Sequence, residues 1–111
     1  PVTAIELFAG AGGLALGLEE AGIHTLEFVE IEKVCCDTLK HNRPNWNVVC
    51  EDITNIDFTK YEGKVDLVTG GFPCQAFSYA GKKLGFEDVR GTLFYEFARC
   101  VKETDPLMFM A

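Results

Sequence analysis

The sequence predicts an α/β domain, a mostly parallel sheet with helices on its faces. Short apolar runs alternate with longer amphipathic ones in the order β-α-β-α-β-β-α-β, the pattern of crossover units rather than hairpins. Several of the short runs are apolar at consecutive positions, as strands covered on both faces are. A glycine-rich turn separates the first strand from the first helix, where open parallel sheets place a ligand crevice.

Each element has a local reason. Val2 to Phe8 reads as a strand, and AGAGG, Ala9 to Gly13, as the turn after it. Leu14 to Ala21 reads as a helix with Leu14 and Leu18 on one face and Gly22 as its stop. Thr25 to Glu30 is a second strand. Glu32 to His41 is a second helix, acidic at its start, with Lys40 and His41 in its last turn and Pro44 beyond. Asn47 to Cys50 and Val65 to Thr69 are the third and fourth strands. Thr92 to Lys102 is a third helix, with Leu93, Phe97 and Cys100 spaced i, i+4, i+7. Leu107 to Met110 begins a fifth strand, and the unfinished sheet reads as the N-terminal piece of a larger protein. Pro1 at the start suggests that the initiator methionine, or more, precedes these residues.

Composition bounds the function. At 111 residues, 48% hydrophobic and 24% charged, the chain is globular rather than disordered. No apolar run approaches the roughly 20 residues of a membrane helix, and no signal peptide is readable. Five cysteines without a C-x-x-C pair argue for a reducing cytoplasm and against a zinc site. Of adjacent Cys35 and Cys36, one is expected in the core and one at its periphery. His24 and His41 lack ligand spacing and read as surface residues. Trp46 is expected to cover the sheet edge. A net charge of −7 is the wrong sign for a domain that only grips phosphates, although local cations matter more than the total.

The turn and two acids form the first constellation. Glycines at 10, 12 and 13 let backbone approach a ligand, and the helix start behind them offers free N–H groups. The spacing departs from G-x-G-x-x-G because position 15 is Ala, which weakens a dinucleotide reading. Glu30 ends the second strand, where a carboxylate can accept hydrogen bonds from a ribose diol. Asp52 follows the third strand, placed to meet an exocyclic amine. Singly, each has a plainer reading: a tight turn, a solvated strand end, a turn cap. Jointly, at the ends of three successive strands, they outline an adenosine-shaped pocket.

Residues 72–91 form a loop too long for a mere connection. It holds Cys74 in GGFPCQAFS, together with Lys82, Lys83 and Arg90. Most free cysteines are buried and inert; the flanking Pro73 and Gln75 and the loop setting favour a nucleophile here.

In these motifs the chain resembles the cytosine-C5 DNA methyltransferases of bacterial restriction–modification systems over nearly its whole length. FAGAGG at 8–13, Glu30, Asp52-Ile53, GGFPCQAFS at 70–78 and RGTLFYE at 90–96 are similar to successive family motifs. The resemblance implies a Rossmann-like, S-adenosylmethionine-dependent methyltransferase fold, with the first five strands of its sheet present here. Residues 1–111 would be the N-terminal part of the catalytic, cofactor-binding domain, without a target-recognition domain.

The resemblance also implies roles. Phe8, Ala9, Gly10, Gly12 and Gly13 would bind S-adenosyl-L-methionine, with the Phe8 ring on the adenine. Glu30 would hold the ribose. Ile31 stands where the family often has an aromatic ring, leaving aliphatic contact. Asp52 and Ile53 would meet the adenine, although Glu51 replaces the usual preceding glycine. Pro73 fixes φ ahead of the nucleophile and, with Leu93, would lie near the cofactor. Cys74 would add to C6 of a cytosine flipped out of double-stranded DNA, which makes C5 nucleophilic. Gln75 would fill the space the base leaves, and Ser78 would meet phosphate. Lys82 would contact phosphate; Lys83 reads as a solvated charge. Arg90 is open to two readings, a phosphate contact or an anchor for the loop.

The family's Glu-Asn-Val motif, whose glutamate meets cytosine N3, is not in these residues. No methyl transfer is therefore expected from the 111 residues alone. A truncated record, one half of a split enzyme completed by a second polypeptide, and a non-catalytic paralogue all remain open. So does a nucleotide-binding module that takes NAD. An RNA substrate is less favoured, because Phe72 stands where the tRNA-directed branch has a second proline.

Overall fold

The computed structural model describes residues 1–71 and 92–111. Five strands form one sheet: β1 (Thr3–Leu7), β2 (His24–Glu30), β3 (Val48–Cys50), β4 (Leu67–Gly70) and β5 (Met108–Met110). Their order is β3-β2-β1-β4-β5, and all four pairings are parallel. The sheet thus has the α/β, Rossmann-like organisation expected, with β1 at its centre. The order changes direction between β1 and β4, which opens a crevice beyond their C-terminal ends.

Helices α1 (Gly13–Glu20) and α2 (Lys33–Asn42) cover one face. There Ala4 and Leu67 pack with Leu18, while Phe28 and Val48 pack with Ala15, Cys36 and Leu39. Helix α3 (Leu93–Thr104) covers the other face, where Phe97 and Cys100 meet Ile5, Leu7, Val29 and Val68. Two short 3-10 turns, Ile53–Asn55 and Thr59–Tyr61, were not readable in the sequence. They add Ile53, Ile56 and Phe58 to the second core.

Local chemistry sets the boundaries. Thr92 caps α3 by accepting the Tyr95 N–H at 3.2 Å, and Asp105 ends it in a left-handed conformation. Cys36 is buried and Cys35 half-buried. His24 and His41 are exposed. Trp46 stacks on Phe28 at 4.4 Å and 16°, against the edge formed by β3. The face of α1 differs from expectation: Ala15 and Leu18 are buried, while Leu14 is 40% exposed. Ala15 packs with Phe28, and Leu18 with Ala4 and Leu67, so this face of the short helix meets the sheet and Leu14 is turned off it.

Burial on both faces also encloses acids that a half-buried sheet would send to solvent. Glu6 and Glu27 are both almost fully buried. Glu27 Oε1 accepts from the Tyr61 hydroxyl at 3.0 Å, with the Lys60 ammonium at 3.7 Å. Burial, then the charge of Glu27, pushes the Tyr61 hydroxyl up to about 12. Among the described residues no helix is long and apolar enough to cross a membrane, and no cluster of metal-ligating side chains occurs.

Candidate cofactor site

A cavity of about 500 Å³ opens at the C-terminal edge of the sheet, beside the ends of β1, β2 and β3 and the start of α3. It is within the size range of small-molecule sites, about 300–1,000 Å³. Phe8, Gly10, Glu30, Ile31, Asp52, Ile53 and Leu93 lie on its wall together. These residues come from four separate segments, and the parallel topology collects them because every strand ends at this edge.

The turn is shaped by backbone conformation. Phe8 has φ of 56°, Gly10 61° and Gly12 110°; the last two demand glycine or its few substitutes. Gly12 also leaves room for a neighbour, since a Cβ there would stand 2.9 Å from Leu39 Cδ2. It occupies the N-cap of α1, and Gly13 is the first helical residue. Ala9 is buried, and its N–H donates to the Val29 carbonyl at 3.1 Å. Ala9, Gly12 and Gly13 thus build the turn behind the cavity rather than its wall.

Glu30 locks the turn to the sheet. Its side chain is only 8% exposed. Oε1 accepts the Gly10 N–H and Oε2 the Glu32 N–H, each at 2.8 Å. Each oxygen keeps a second lone pair, so a vicinal diol in the cavity could donate to a carboxylate already fixed in place. Beneath it, Cys36 Sγ donates to the Glu30 carbonyl at 3.2 Å, and burial followed by the neighbouring Cys50 pushes this thiol up to about 12. Cys36 therefore stays a neutral packing group.

Asp52 is an exposed cap. Its Oδ1 accepts both the Thr54 N–H at 2.9 Å and the Thr54 hydroxyl at 2.8 Å. The backbone bond first, and the hydroxyl second, hold its carboxyl below the usual range. This capping leaves Oδ2 with no hydrogen bond to another described residue. Ile53 beside it is buried, giving an apolar wall next to an anionic rim. Ile31 is 60% exposed at the mouth.

The sequence assigns no cofactor role to Val29, Glu32, Cys35, Glu51 or Gly71, which also line the cavity. Position was the available signal, since each is next to or near a strand end already marked. Pro73, Cys74, Gln75, Ser78, Lys82, Lys83 and Arg90 lie outside the described residues.

The donor set suits S-adenosylmethionine. A preset carboxylate for hydroxyls, an aromatic ring, two aliphatic walls and a free carboxylate oxygen surround a space of the right size. These match a ribose, an adenine face and an exocyclic amine, so the residues present fit the group.

Comparison with known proteins identifies the family. The chain is 64% identical over 107 residues to the type II methyltransferase M.PspPI of a Psychrobacter strain, and 62% identical over 109 residues to M.Eco47II of Escherichia coli. These matches cover 96% and 98% of the chain but only 26% of either relative. A crystal structure of Spodoptera frugiperda DNMT2, in mutant form, superposes with a TM-score of 0.74 at 26% identity, covering 99% of the chain and 35% of its own. A candidate DNA modification methyltransferase encoded within an E. coli prophage gives 0.76 at 35% identity, covering 98% and 31%. The family model for C-5 cytosine-specific DNA methylases matches residues 2–111. With the fold, the crevice and these relationships in agreement, the chain belongs to the C-5 cytosine-specific DNA methylase family.

Proposed function

We propose that these residues supply the cofactor site and the nucleophile of a DNA (cytosine-5-)-methyltransferase. The substrate is a cytosine flipped out of duplex DNA, and the cofactor is S-adenosylmethionine. The observation that carries the cofactor reading is the Glu30 carboxylate, buried at the cavity wall and fixed by the Gly10 and Glu32 N–H groups.

When bound, S-adenosylmethionine supplies an electrophilic methyl group on a sulfonium. Phe8 and Ile53 would offer apolar surface to its adenine, Asp52 an acceptor for its exocyclic amine, and Glu30 an acceptor for its ribose hydroxyls. Leu93 closes the far wall. The role of Cys74 rests on its sequence setting. Its thiolate adds to cytosine C6, the ring gains electron density at C5, and C5 takes the methyl group as the methyl–sulfonium bond breaks, which leaves the neutral thioether S-adenosylhomocysteine. Loss of the C5 proton then expels the thiolate and restores the aromatic ring. Gln75, Ser78, Lys82 and Arg90 serve the DNA side. The cytosine must leave the stack, because C6 is inaccessible within it.

The test uses the full-length protein with duplex DNA and methyl-labelled cofactor. Transfer is expected at cytosine C5, abolished in Cys74→Ser, with a stable protein–DNA adduct on DNA carrying 5-fluorocytosine, whose fluorine cannot leave as a proton does. Label on an exocyclic nitrogen, or undiminished turnover by Cys74→Ser, would sink the mechanism. Calorimetry that finds NAD bound in place of S-adenosylmethionine would sink the cofactor reading.

A further inference from the structure

Arg99 lies on α3, away from the cavity wall, with its side chain largely covered. Its Nη2 donates to the Ile53 carbonyl at 2.8 Å, and Nη1 to the Ile56 carbonyl at 2.9 Å. Nη1 also meets the Glu103 carboxylate at 3.1 Å, and Nε donates to Glu96 Oε2 at 2.7 Å. Glu103 Oε1 in turn accepts the Phe58 N–H at 2.9 Å. The guanidinium carbon stands 5.4 Å from the centre of the Phe58 ring. Arg99, with Glu103 beside it, thus laces the stretch from Ile53 to Phe58 onto α3.

That stretch and that helix form two walls of the same cavity. Ile53 and Asp52 stand on one side, and Leu93, the first residue of α3, on the other. We propose that Arg99 is a positioning residue for the cofactor. Its fork onto the Ile53 and Ile56 carbonyls sets the gap between the adenine-side wall and Leu93 before any ligand arrives. The proposal rests on the cofactor reading given above.

The physical case is preorganisation: ordering a loop ahead of binding removes an entropic cost that would otherwise weaken affinity. The stretch 53–58 has one short 3-10 turn of its own, Ile53–Asn55, so its position depends on outside ties. Planar geometry is what the task requires. A guanidinium can span two carbonyls and still serve two carboxylates, whereas an ammonium is a single point with three donors. Glu96 and Glu103 shape Arg99 from behind, and Glu96 is itself buried.

Arg99→Ala would leave Glu96 as an uncompensated buried charge and endanger the fold. Arg99→Lys keeps the charge beside both carboxylates and loses the fork, so it is the informative variant. In the full-length, cofactor-free protein, amides 54–58 are expected to exchange hydrogen faster in Arg99→Lys while β1 and β2 keep their protection. KM for S-adenosylmethionine should rise about tenfold, the equivalent of about 1.4 kcal/mol, with kcat and KM for duplex DNA unchanged. Affinity for the product S-adenosylhomocysteine, by calorimetry, should fall by the same factor. Wild-type exchange and affinity in Arg99→Lys would overturn the proposal, as would a loss shared equally between cofactor and DNA. A wild-type protein that binds no S-adenosylmethionine would instead sink the cofactor reading, and this inference with it.

Discussion

The N–H of Gly10 and the carboxylate of Glu30 meet at 2.8 Å across the top of the sheet. This bond fastens the turn after β1 to the end of β2, and the Glu32 N–H on the other oxygen fastens the start of α2 to the same group. The carboxylate is at once a structural staple and the best-placed acceptor in the cavity.

Removing it should therefore cost both stability and binding. Glu30→Ala leaves two N–H groups without their acceptor, a loss of about 1–3 kcal/mol. Glu30→Gln keeps one acceptor oxygen and turns an NH₂ toward the other N–H. Both variants should melt earlier than wild type and bind S-adenosylmethionine at least about tenfold more weakly. Thermal melts with and without cofactor check this. A variant that loses stability yet keeps full affinity would restrict Glu30 to its stapling role.

Gly70 is a packing requirement. A Cβ there would stand 2.8 Å from Phe97 Cδ2 and 2.9 Å from Cε2, and an aromatic ring in a core has little room to yield. Gly70→Ala should destabilise by about 1–3 kcal/mol. In a Phe97→Leu background the same substitution should cost less, so the two changes should be non-additive. Urea midpoints for the four proteins of this cycle give the coupling directly.

Glu6 should impose a pH dependence. Burial raises its carboxyl from an ordinary 4.5 to about 7. The folded state thus favours the protonated form. Its contribution is fully present below about pH 4.5 and is lost as pH rises through 7. Its Oε2 and the hydroxyl of Thr69, its cross-strand neighbour, find no hydrogen-bond partner among the described residues. Glu6→Gln should flatten the stability profile between pH 5 and 8 and be more stable than wild type at pH 8. The gain should be at most on the order of 3 kcal/mol. Parallel profiles for the two proteins would show that Glu6 does not titrate in that interval.

Thiol chemistry should divide the cysteines. Burial pushes Cys36 and Cys100 up to about 12, so neither offers thiolate at neutral pH. Cys50 is exposed. Iodoacetamide at pH 7.5 should label Cys50 in the folded protein, and Cys36 and Cys100 only after denaturation. Under the proposed mechanism Cys74 is also labelled, and its labelling abolishes methyl transfer. Peptide mass spectrometry over time distinguishes the groups.

Much of this fold was legible because its signals are local. Glycines at a strand end, apolar runs and helix stops located each strand and α-helix among the described residues to within a residue or two, as the β1 and α3 bounds show. Glu30 and Asp52 were legible as positions, because strand ends converge in a parallel sheet. Partners were not legible. Nothing near Arg99 in the chain reveals that it grips carbonyls 46 and 43 residues earlier. Nor does the string around Glu6 reveal that it will be enclosed, since an acid within a strand normally signals a solvent-facing side. Leu14 was misplaced for a related reason: spacing identifies a helical face, but the space beneath α1 decides which face is buried.

The left-handed backbone of Phe8 has a consequence for anyone wishing to transplant FAGAGG into another protein. Along β1 the side chains alternate, with Ile5 and Leu7 toward α3 and Ala4 toward α1. Continued alternation would send Phe8 after Ala4 and Glu6, but at φ of 56° its side chain packs against the α3-side cluster that holds Ile5 and Leu7 instead. A graft whose host strand stays extended through that residue would present the aromatic ring to the wrong layer. All six letters would be correct, and the pocket would lack its ring.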